Sequence, residues 1–255
     1  MRAGTNSASA QDPKPLYRRE GGKHMAIILY SGTPGSGKSY RIADKLAYSS
    51  LFGKLNYICN FPVDLENFSI RDLFRPLLKS KKENSLGKRL FAKLPYGLTH
   101  KKVRKEPMYL DNSQITVPFL KQFAMENHVV GKEGQTVVVI DEAGIKFNCR
   151  NFADKDRQEW LNFFATHRHY GYDFILIAQS DRQLDRQIRY CIEQEDKHYK
   201  LANFNWFGQL LAMIAGGNLF VVHKMWYGFH GERNGTDVIR YRRKVASIYD
   251  THYKF

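Results

Sequence analysis

Cysteine is scarce in this 255-residue chain, which contains only Cys59, Cys149 and Cys191. The three are isolated from one another, and no two have the C-x-x-C spacing of a zinc or redox site. This pattern excludes a disulfide scaffold and indicates reduced thiols of the kind found in the cytosol. No apolar run follows the first basic residues, so we expect no secretory signal.

Acidic residues are also in deficit, with 25 Asp and Glu against 40 Lys and Arg and a formal net charge of +15. The basic residues are clustered, which favours a polyanionic partner such as nucleic acid, an anionic membrane surface or an acidic protein. The hydrophobic fraction of 43% is ordinary for a globular protein. The length suits one α/β domain with a small appended subdomain.

Long hydrophobic runs are absent apart from residues 201–222, which carry no charged residue. This stretch is long enough to span a bilayer. It also contains three glycines and four polar amides, whose side chains are costly inside a bilayer: Asn203, Asn205, Gln209 and Asn218. We therefore interpret it as a buried or interfacial segment.

Local patterns divide the chain into three parts. Residues 1–24 are polar and rich in Ser, Pro, Gly and charge, which predicts a leader or a disordered tail. Residues 25–202 carry the main α/β pattern, interrupted at about 64–135 by an irregular basic insertion with several prolines. Residues 203–255 predict an apolar segment followed by a β-hairpin that packs on the core.

Short apolar runs identify the strands of the main part. They predict buried parallel strands at four places: residues 26–30, 55–59, 136–140 and 174–178. Helical spacing follows the first run and recurs at 156–168. At the end of the chain, apolar residues at 219–229 and 238–245 flank Asn234-Gly235, a pair typical of a tight hairpin turn.

A phosphate-binding loop follows the first predicted strand. The motif G-x-x-x-x-G-K-[ST] is complete, and we add the next residue to the expected nucleotide contacts: Gly32, Thr33, Pro34, Gly35, Ser36, Gly37, Lys38, Ser39 and Tyr40. Its glycines let backbone N–H groups face phosphate oxygens at the start of a helix. Lys38 is suited to the β- and γ-phosphates, and Ser39 to Mg²⁺. ATP and Mg²⁺ are therefore the expected ligands.

Two acids end the valine-rich strand at 136–140. Asp141 at the strand tip is placed to hold the Mg²⁺ shell, directly or through water. Glu142 is placed to orient or deprotonate an attacking water, a role that hydrolysis needs more than phosphate transfer does. Together with Lys38 they are the predicted catalytic residues.

Further candidates follow the next strand. Gln179 at its tip would lie beside Asp141 and could sense the γ-phosphate, although a helix-capping glutamine fits the sequence equally well. Arg182, Arg186 and Arg189 have helical spacing, and ring-forming ATPases often supply an arginine to a neighbouring subunit. Arg186 and Arg189 are the candidates, against the alternative of a plain solvated basic face.

Taken together, these motifs resemble the zonula occludens toxin (Zot) family. The most specific element is the string His-Arg-His-Tyr-Gly-Tyr-Asp at residues 167–173, followed by Ala-Gln-Ser at 178–180. The resemblance covers roughly residues 25–200, and the family includes the assembly ATPases of filamentous phages. The expected fold is therefore an α/β P-loop NTPase with a mainly parallel RecA-like sheet, helices on both faces and a C-terminal β-hairpin.

Family membership would imply an ATP-hydrolysing motor for the assembly and extrusion of virions that contain single-stranded DNA. The motor would act at the cytoplasmic face of the host inner membrane, as a homo-oligomeric ring with phage assembly proteins as partners. The roles of Lys38 and Asp141 carry over directly from the family. The toxin activity for which the family is named belongs to parts beyond the ATPase domain and is not predicted here.

The sequence departs from the family pattern in three ways. Gly144 stands where the family often has glutamine, and the polar leader is extra. Many members continue into a membrane helix just past this point, whereas this sequence stops at Phe255. We expect either a shortened chain or a member anchored by its partners.

The basic segment between Lys79 and Lys105 contains a single acid, Glu83, with Phe91 and Tyr96 interleaved. Such a segment could follow a single-stranded DNA backbone with aromatic stacking, or dock on anionic lipid. A solvated charge run is the third interpretation. Two alternative functions also stay open at this point: a cytosolic DNA translocase or helicase-like ATPase, and a P-loop kinase.

Overall fold

The computed structural model describes residues 27–52, 55–65, 68, 106–148, 154–203, 206, 209, 219–228 and 231–249. Three predictions lie outside this part of the chain: the leader at 1–24, the basic segment at 79–105 and most of the apolar stretch at 201–222. Within it, no helix is both long enough and apolar enough to cross a membrane.

One eight-stranded sheet forms the centre of the molecule, in the order β3-β2-β4-β5-β1-β6-β7-β8. The first six strands pair in parallel, and β7 and β8 add in antiparallel fashion beside β6. The strands are β1 (Ile27–Ser31), β2 (Asn56–Cys59), β3 (Met108–Tyr109), β4 (Thr136–Ile140), β5 (Tyr172–Ile177), β6 (Gln194–Lys200), β7 (Leu219–Trp226) and β8 (Arg233–Arg240).

The described residues form six α-helices and two short 3₁₀ turns. The helices are α1 (Lys38–Phe52), α2 (Val117–Asn127), α3 (Ala143–Lys146), α4 (Asp154–Thr166), α5 (Arg186–Tyr190) and α6 (Arg243–Ala246). The 3₁₀ turns cover Asp181–Gln183 and Leu201–Asn203. The phosphate-loop helix and the helix predicted at 156–168 are both present, the latter beginning and ending two residues earlier.

Both faces of the sheet are covered, as predicted. Along β4, Val138 and Ile140 join a core with residues of α2 and α4, whereas Val137 and Val139 join a second core with α1. This alternation is the two-residue period of a strand, and every residue of β4 is buried. Burial on both faces explains why the parallel strands read as continuous apolar runs.

The predicted hairpin is present, but the position predicted for its turn was wrong. The two strands are joined through residues 227–232, where Gly231 has φ 71°. The Asn234-Gly235 pair lies inside β8, with Gly235 opposite Lys224. Seven consecutive residue pairs between β6 and β7 hold the chain in the sheet as far as Trp226. This long-range pairing overrides the local turn preference of Asn234-Gly235.

The end of the hairpin also differs from the prediction. The second strand stops at Arg240, and Val245 lies in α6 rather than on the strand. Val245 and Ile248 are buried in a cluster with Phe220, Ala43 and Leu51. The C-terminal part therefore extends the central sheet through β7 and folds back over α1.

The family-specific string at 167–173 forms the turn between α4 and β5. His167 is buried, its Nδ1 contacts the Phe164 carbonyl oxygen, and Gly171 adopts φ 77°. The Gly171 carbonyl accepts hydrogen bonds from the N–H groups of Gln135 and Thr136. The string lies at the start of β5, so it supports the fold at the end of the sheet opposite the phosphate loop.

Candidate active site

The phosphate loop lies at the carboxyl ends of the parallel strands. It leaves β1 after Ser31 and enters α1 at Lys38. The Gly32 N–H donates to the Gln179 carbonyl oxygen at 3.2 Å, which joins the loop to the end of β5. Ligands of open α/β sheets bind at this edge.

Glycine is required at two loop positions by both torsion and space. Gly32 has φ 139° and Gly37 has φ 95°. A Cβ on Gly32 would lie 2.4 Å from the His198 carbonyl oxygen, and one on Gly37 would lie 2.7 Å from the Phe220 ring. Any larger residue would therefore be strained and would force the loop away from β6 and β7.

The loop has the groups that a phosphate needs. No backbone carbonyl of the described residues accepts a hydrogen bond from the N–H of Gly35 or Gly37. The Ser36 hydroxyl is buried and finds no hydrogen-bond partner among the described residues. A buried hydroxyl without a partner is costly, and a phosphate oxygen at this helix N-terminus would satisfy it together with the two N–H groups.

Lys38 is folded back over this loop. Its Nζ donates to the carbonyl oxygens of Gly32 at 2.6 Å and Thr33 at 3.2 Å. Burial lowers the pKa of its ammonium group, and the charges of Asp141 and Glu142 oppose that shift. Its ammonium group lies across the phosphate loop, and its role at the β- and γ-phosphates stays a prediction.

Asp141 directly follows β4 and lies beside the loop. Its Oδ2 accepts hydrogen bonds from the Ser39 hydroxyl at 3.3 Å and the Tyr249 hydroxyl at 2.7 Å, and its Oδ1 accepts from the Glu142 N–H at 2.8 Å. Asp141 is 5% exposed. The two residues predicted to bind Mg²⁺, Ser39 and Asp141, therefore lie together, and their hydroxyl and carboxylate oxygens are ligands suited to that ion.

Glu142 adopts a left-handed backbone conformation at this site. Its φ of 48° and ψ of 46° make it the one non-glycine residue with positive φ among those described. Such conformations are strained and concentrate at functional sites. Burial raises the pKa of its carboxyl group, the charge of Asp141 raises it further, and Lys38 opposes both.

Asn60 is a site residue that the sequence reasoning missed. It follows β2, is 1% exposed, and clamps the backbone of Asp141. Its Oδ1 accepts from the Asp141 N–H at 2.7 Å, and its Nδ2 donates to the Asp141 carbonyl oxygen at 2.8 Å and to Asn112 Oδ1 at 2.9 Å. A polar residue directly after a buried strand was the available signal.

The network continues from Asn112 to Lys146. The Lys146 Nζ donates to the Asn112 carbonyl oxygen at 2.6 Å and lies 5.3 Å from the centre of the Trp160 ring. Burial lowers the pKa of this lysine to about 8, opposed by the charge of Asp156. A partly buried chain of hydrogen bonds therefore links α3, which follows Glu142, to Asn60, the residue that holds Asp141.

Tyr40 was predicted to contact nucleotide, but its side chain hydrogen-bonds the backbone at the end of the hairpin. The ring is buried, and the hydroxyl donates to the Arg240 carbonyl oxygen and accepts from the Arg242 N–H, both at 2.9 Å. Only the backbone of Tyr40 is left for a nucleotide contact. The side chain ties α1 to the end of β8.

Gln179 lies where the strand pattern placed it, between the loop and the end of β4. Its side chain is exposed, and its backbone N–H donates to the Gln183 side chain at 3.0 Å. Gln183 also explains Gly144, because a Cβ there would lie 2.9 Å from the Gln183 Cβ. The departure from the family pattern thus allows α3 to approach this turn closely.

The arginines do not share one helix, which corrects the predicted spacing. Arg182 lies in a 3₁₀ turn, whereas Arg186 and Arg189 lie in α5. Arg186 donates to the Tyr190 hydroxyl at 3.1 Å, and Arg189 pairs with Asp181 at 3.7 Å. The break comes at Asp185, whose side chain caps α5 by accepting from the Gln187 N–H.

Comparison with known proteins gives a consistent picture. The family model described as zonular occludens toxin (Zot) matches residues 26–209. The Gene 1 protein of Enterobacteria phage I2-2 is 33% identical over 86 residues, which are 32% of this chain and 24% of that protein. The Gene 1 protein of Enterobacteria phage M13 is 23% identical over 198 residues, 76% of this chain and 49% of that protein.

These matches span a quarter to a half of the length of the curated relatives. Among solved structures, one ATPase domain superposes with a TM-score of 0.50 at 9% identity, covering 89% of this chain and 85% of that one. At this identity the likeness concerns the fold alone. It confirms the predicted P-loop NTPase architecture.

Proposed function

Because this chain belongs to the Zot family, we propose that it is an ATP-hydrolysing motor for the assembly and extrusion of filamentous phage virions. The observation that carries the proposal is the meeting of Lys38, Ser39, Asp141 and Glu142 at one edge of a P-loop sheet. These are the groups that phosphate binding and hydrolysis require.

The chemistry follows from the position of each group. The loop N–H groups and Lys38 would bind the phosphates of ATP and stabilise the negative charge that develops as the γ-phosphate leaves. Mg²⁺, bound by Ser39 and Asp141, would neutralise further charge on the phosphate oxygens. Glu142 would orient the attacking water and accept its proton, a role that its raised pKa favours.

The phosphate loop and its helix also contact the C-terminal part of the chain, beyond the matched family region. Phe220 of β7 borders Gly37, and the Tyr40 hydroxyl joins α1 to β8. A conformational change of the phosphate loop or α1 on nucleotide binding would therefore be transmitted to the hairpin. This coupling is what a motor needs in order to pass on the energy of hydrolysis.

The proposed binding partners and location of the chain follow from the same proposal. Kinship with phage Gene 1 proteins supports a role in phage assembly. We propose work at the cytoplasmic face of the host inner membrane, as a homo-oligomeric ring in which Arg186 or Arg189 reaches a neighbouring subunit. The basic segment at 79–105 would bind single-stranded DNA or anionic lipid, which its charge favours.

The test compares Lys38→Ala with Lys132→Ala, which changes an exposed lysine in the turn before β4. We expect the purified wild type and Lys132→Ala to release phosphate from ATP and Lys38→Ala to release none. In cells, a phage genome with Lys38→Ala should produce no virions. Normal virion release by Lys38→Ala would refute the motor.

The same assays separate the other functions. Transfer of phosphate to a small-molecule acceptor in place of release to water would favour a kinase. ATP-dependent strand displacement on DNA together with normal virion release in the Lys38→Ala phage would favour a helicase.

A further inference from the structure

Tyr249 reaches the candidate magnesium site from the C-terminal part of the chain. Its hydroxyl donates to Asp141 Oδ2 at 2.7 Å, and the same oxygen accepts from the Ser39 hydroxyl at 3.3 Å. Tyr249 lies outside residues 26–209, which match the family model. A residue close to the end of this chain thus contributes to the phosphate-loop edge.

The backbone around Tyr249 fixes the place of its hydroxyl. Tyr249 forms an antiparallel bridge with Val63, and the Ile248 carbonyl oxygen accepts from the Asp64 N–H at 2.9 Å. The ring lies edge-on to Phe61, with 4.8 Å between ring centres. Phe61 and Val63 follow β2, the strand that also places Asn60.

The helix before Tyr249 anchors it from the other side. Ile248 and Val245 are buried in the cluster that contains Leu51 of α1. Since α1 carries Ser39 at its start, both elements that hold Tyr249 also carry groups of the site. The hydroxyl is therefore held in place relative to Ser39 and Asp141, and its contact with Asp141 is not a chance surface contact.

The two oxygens of Asp141 have different partners. Oδ1 accepts from the neighbouring Glu142 N–H, a local contact, whereas Oδ2 accepts from Ser39 and Tyr249. The bond from Tyr249 is the shorter of the two on Oδ2. Ser39 is itself a candidate metal ligand, so among the described residues Tyr249 is the side chain that can orient this oxygen without binding the ion.

We propose that Tyr249 is a positioning residue of the magnesium site, which orients the Asp141 carboxylate through its hydroxyl. This inference rests on the proposed ATPase function. Groups that hydrogen-bond a metal-binding carboxylate typically change metal affinity by about 10–100-fold when they are removed. Tyr249 itself neither binds the ion nor touches the reacting atoms.

The competing effect of the same contact is that the hydroxyl excludes the ion. A tyrosine hydroxyl on Asp141 Oδ2 would block the ion if it occupied the acceptor site that the ion needs, and removing it would then tighten magnesium binding. We favour positioning because an ionised carboxylate has about four acceptor sites, so Asp141 can keep this bond and still accept others. The sign of the measured effect distinguishes the two.

The experiment uses the full chain and the substitution Tyr249→Phe, which removes the hydroxyl and keeps the ring against Phe61. The matched control is Tyr172→Phe, because the Tyr172 hydroxyl donates to the Leu120 carbonyl oxygen at 2.7 Å in the core with α2. Binding of a fluorescent ATP analogue is measured in EDTA and across a magnesium titration, and thermal unfolding is recorded for each variant.

We expect Tyr249→Phe to bind the analogue in EDTA as the wild type does, but to need about tenfold more Mg²⁺ for half of the magnesium effect. Tyr172→Phe should lower the unfolding temperature without moving the magnesium midpoint. A midpoint that is unchanged or lower in Tyr249→Phe would overturn the inference and leave the ATPase proposal intact. A wild type with no magnesium effect would overturn both.

Discussion

Asn60 offers the sharpest test of how the site is held, because a single substitution removes the clamp on Asp141. Asn60→Ala would leave the Asp141 N–H and carbonyl oxygen without their side-chain partner, and both bonds are buried. An unsatisfied buried polar group costs about 1–3 kcal/mol. Two such groups therefore predict a loss of about 2–4 kcal/mol, since the chain will relax in part.

In a protein of this size, 1 kcal/mol shifts the unfolding temperature by about 2–4 °C. Asn60→Ala should thus unfold about 4–16 °C below the wild type. The control is Asn127→Ala at the end of α2, where the side chain is exposed and donates to the Phe123 carbonyl oxygen. Exposed changes of this kind usually stay within about 0.5 kcal/mol.

Thermal unfolding by circular dichroism and ATP turnover at 20 °C measure the two consequences separately. Turnover by Asn60→Ala should fall even where the protein is fully folded, because Asp141 is no longer held. If Asn60→Ala unfolds no lower than Asn127→Ala, the clamp contributes nothing to stability. If its turnover also equals that of the wild type, the clamp does not position Asp141.

Four other predictions follow from the described contacts. Glu142→Gln should still bind ATP but stop hydrolysis, and near-normal phosphate release would remove Glu142 from catalysis. Gly37→Ala should lose ATP binding, because a Cβ there lies 2.7 Å from the Phe220 ring; unchanged affinity in equilibrium binding would contradict this. Burial lowers the pKa of His198 to about 3. Below about pH 6.5 the unfolded chain therefore binds a proton that the native state does not bind. The free energy of unfolding should then fall by up to about 1.4 kcal/mol for each pH unit. Denaturant titrations from pH 7.5 to 5.5 should show a shallower decline in His198→Phe, and an equal decline would exclude this histidine. Mixing an Arg186 or Arg189 variant with Glu142→Gln should restore some turnover if subunits share sites, whereas turnover by a monomer that is independent of concentration would refute the ring.

Sequence reasoning placed β1, β2, β4 and β5 well because their apolar signal is local, but it missed β3 and the charged strand β6. The run at residues 136–140 matches β4 at both ends, since burial on both faces leaves no polar residue inside the strand. The turn at Asn234-Gly235 was predicted from equally local chemistry and was wrong. Pairing of β7 with β6 outweighed it, and such pairing cannot be seen in a short window.

The site residues show the same contrast between local sequence signals and long-range packing. Gln179 was placed correctly beside the loop because parallel strands end at a common edge, but its exposed side chain leaves the sensing role a prediction. Tyr40 was assigned to nucleotide by its place next to the motif, and only packing against β8 shows where its hydroxyl goes. The basic segment at 79–105 remains a prediction.

The sequence by itself determined the phosphate loop, Lys38 and the acids at the end of β4, since this chemistry needs fixed residue types at fixed spacing along contiguous chain. Only the tertiary structure decided which groups hold Asp141. Asn60 reaches it across 81 positions of sequence and Tyr249 across 108. Hydrogen bonds over such separations depend on the order of strands in the sheet and on the path of the last residues over α1, and no local pattern encodes either.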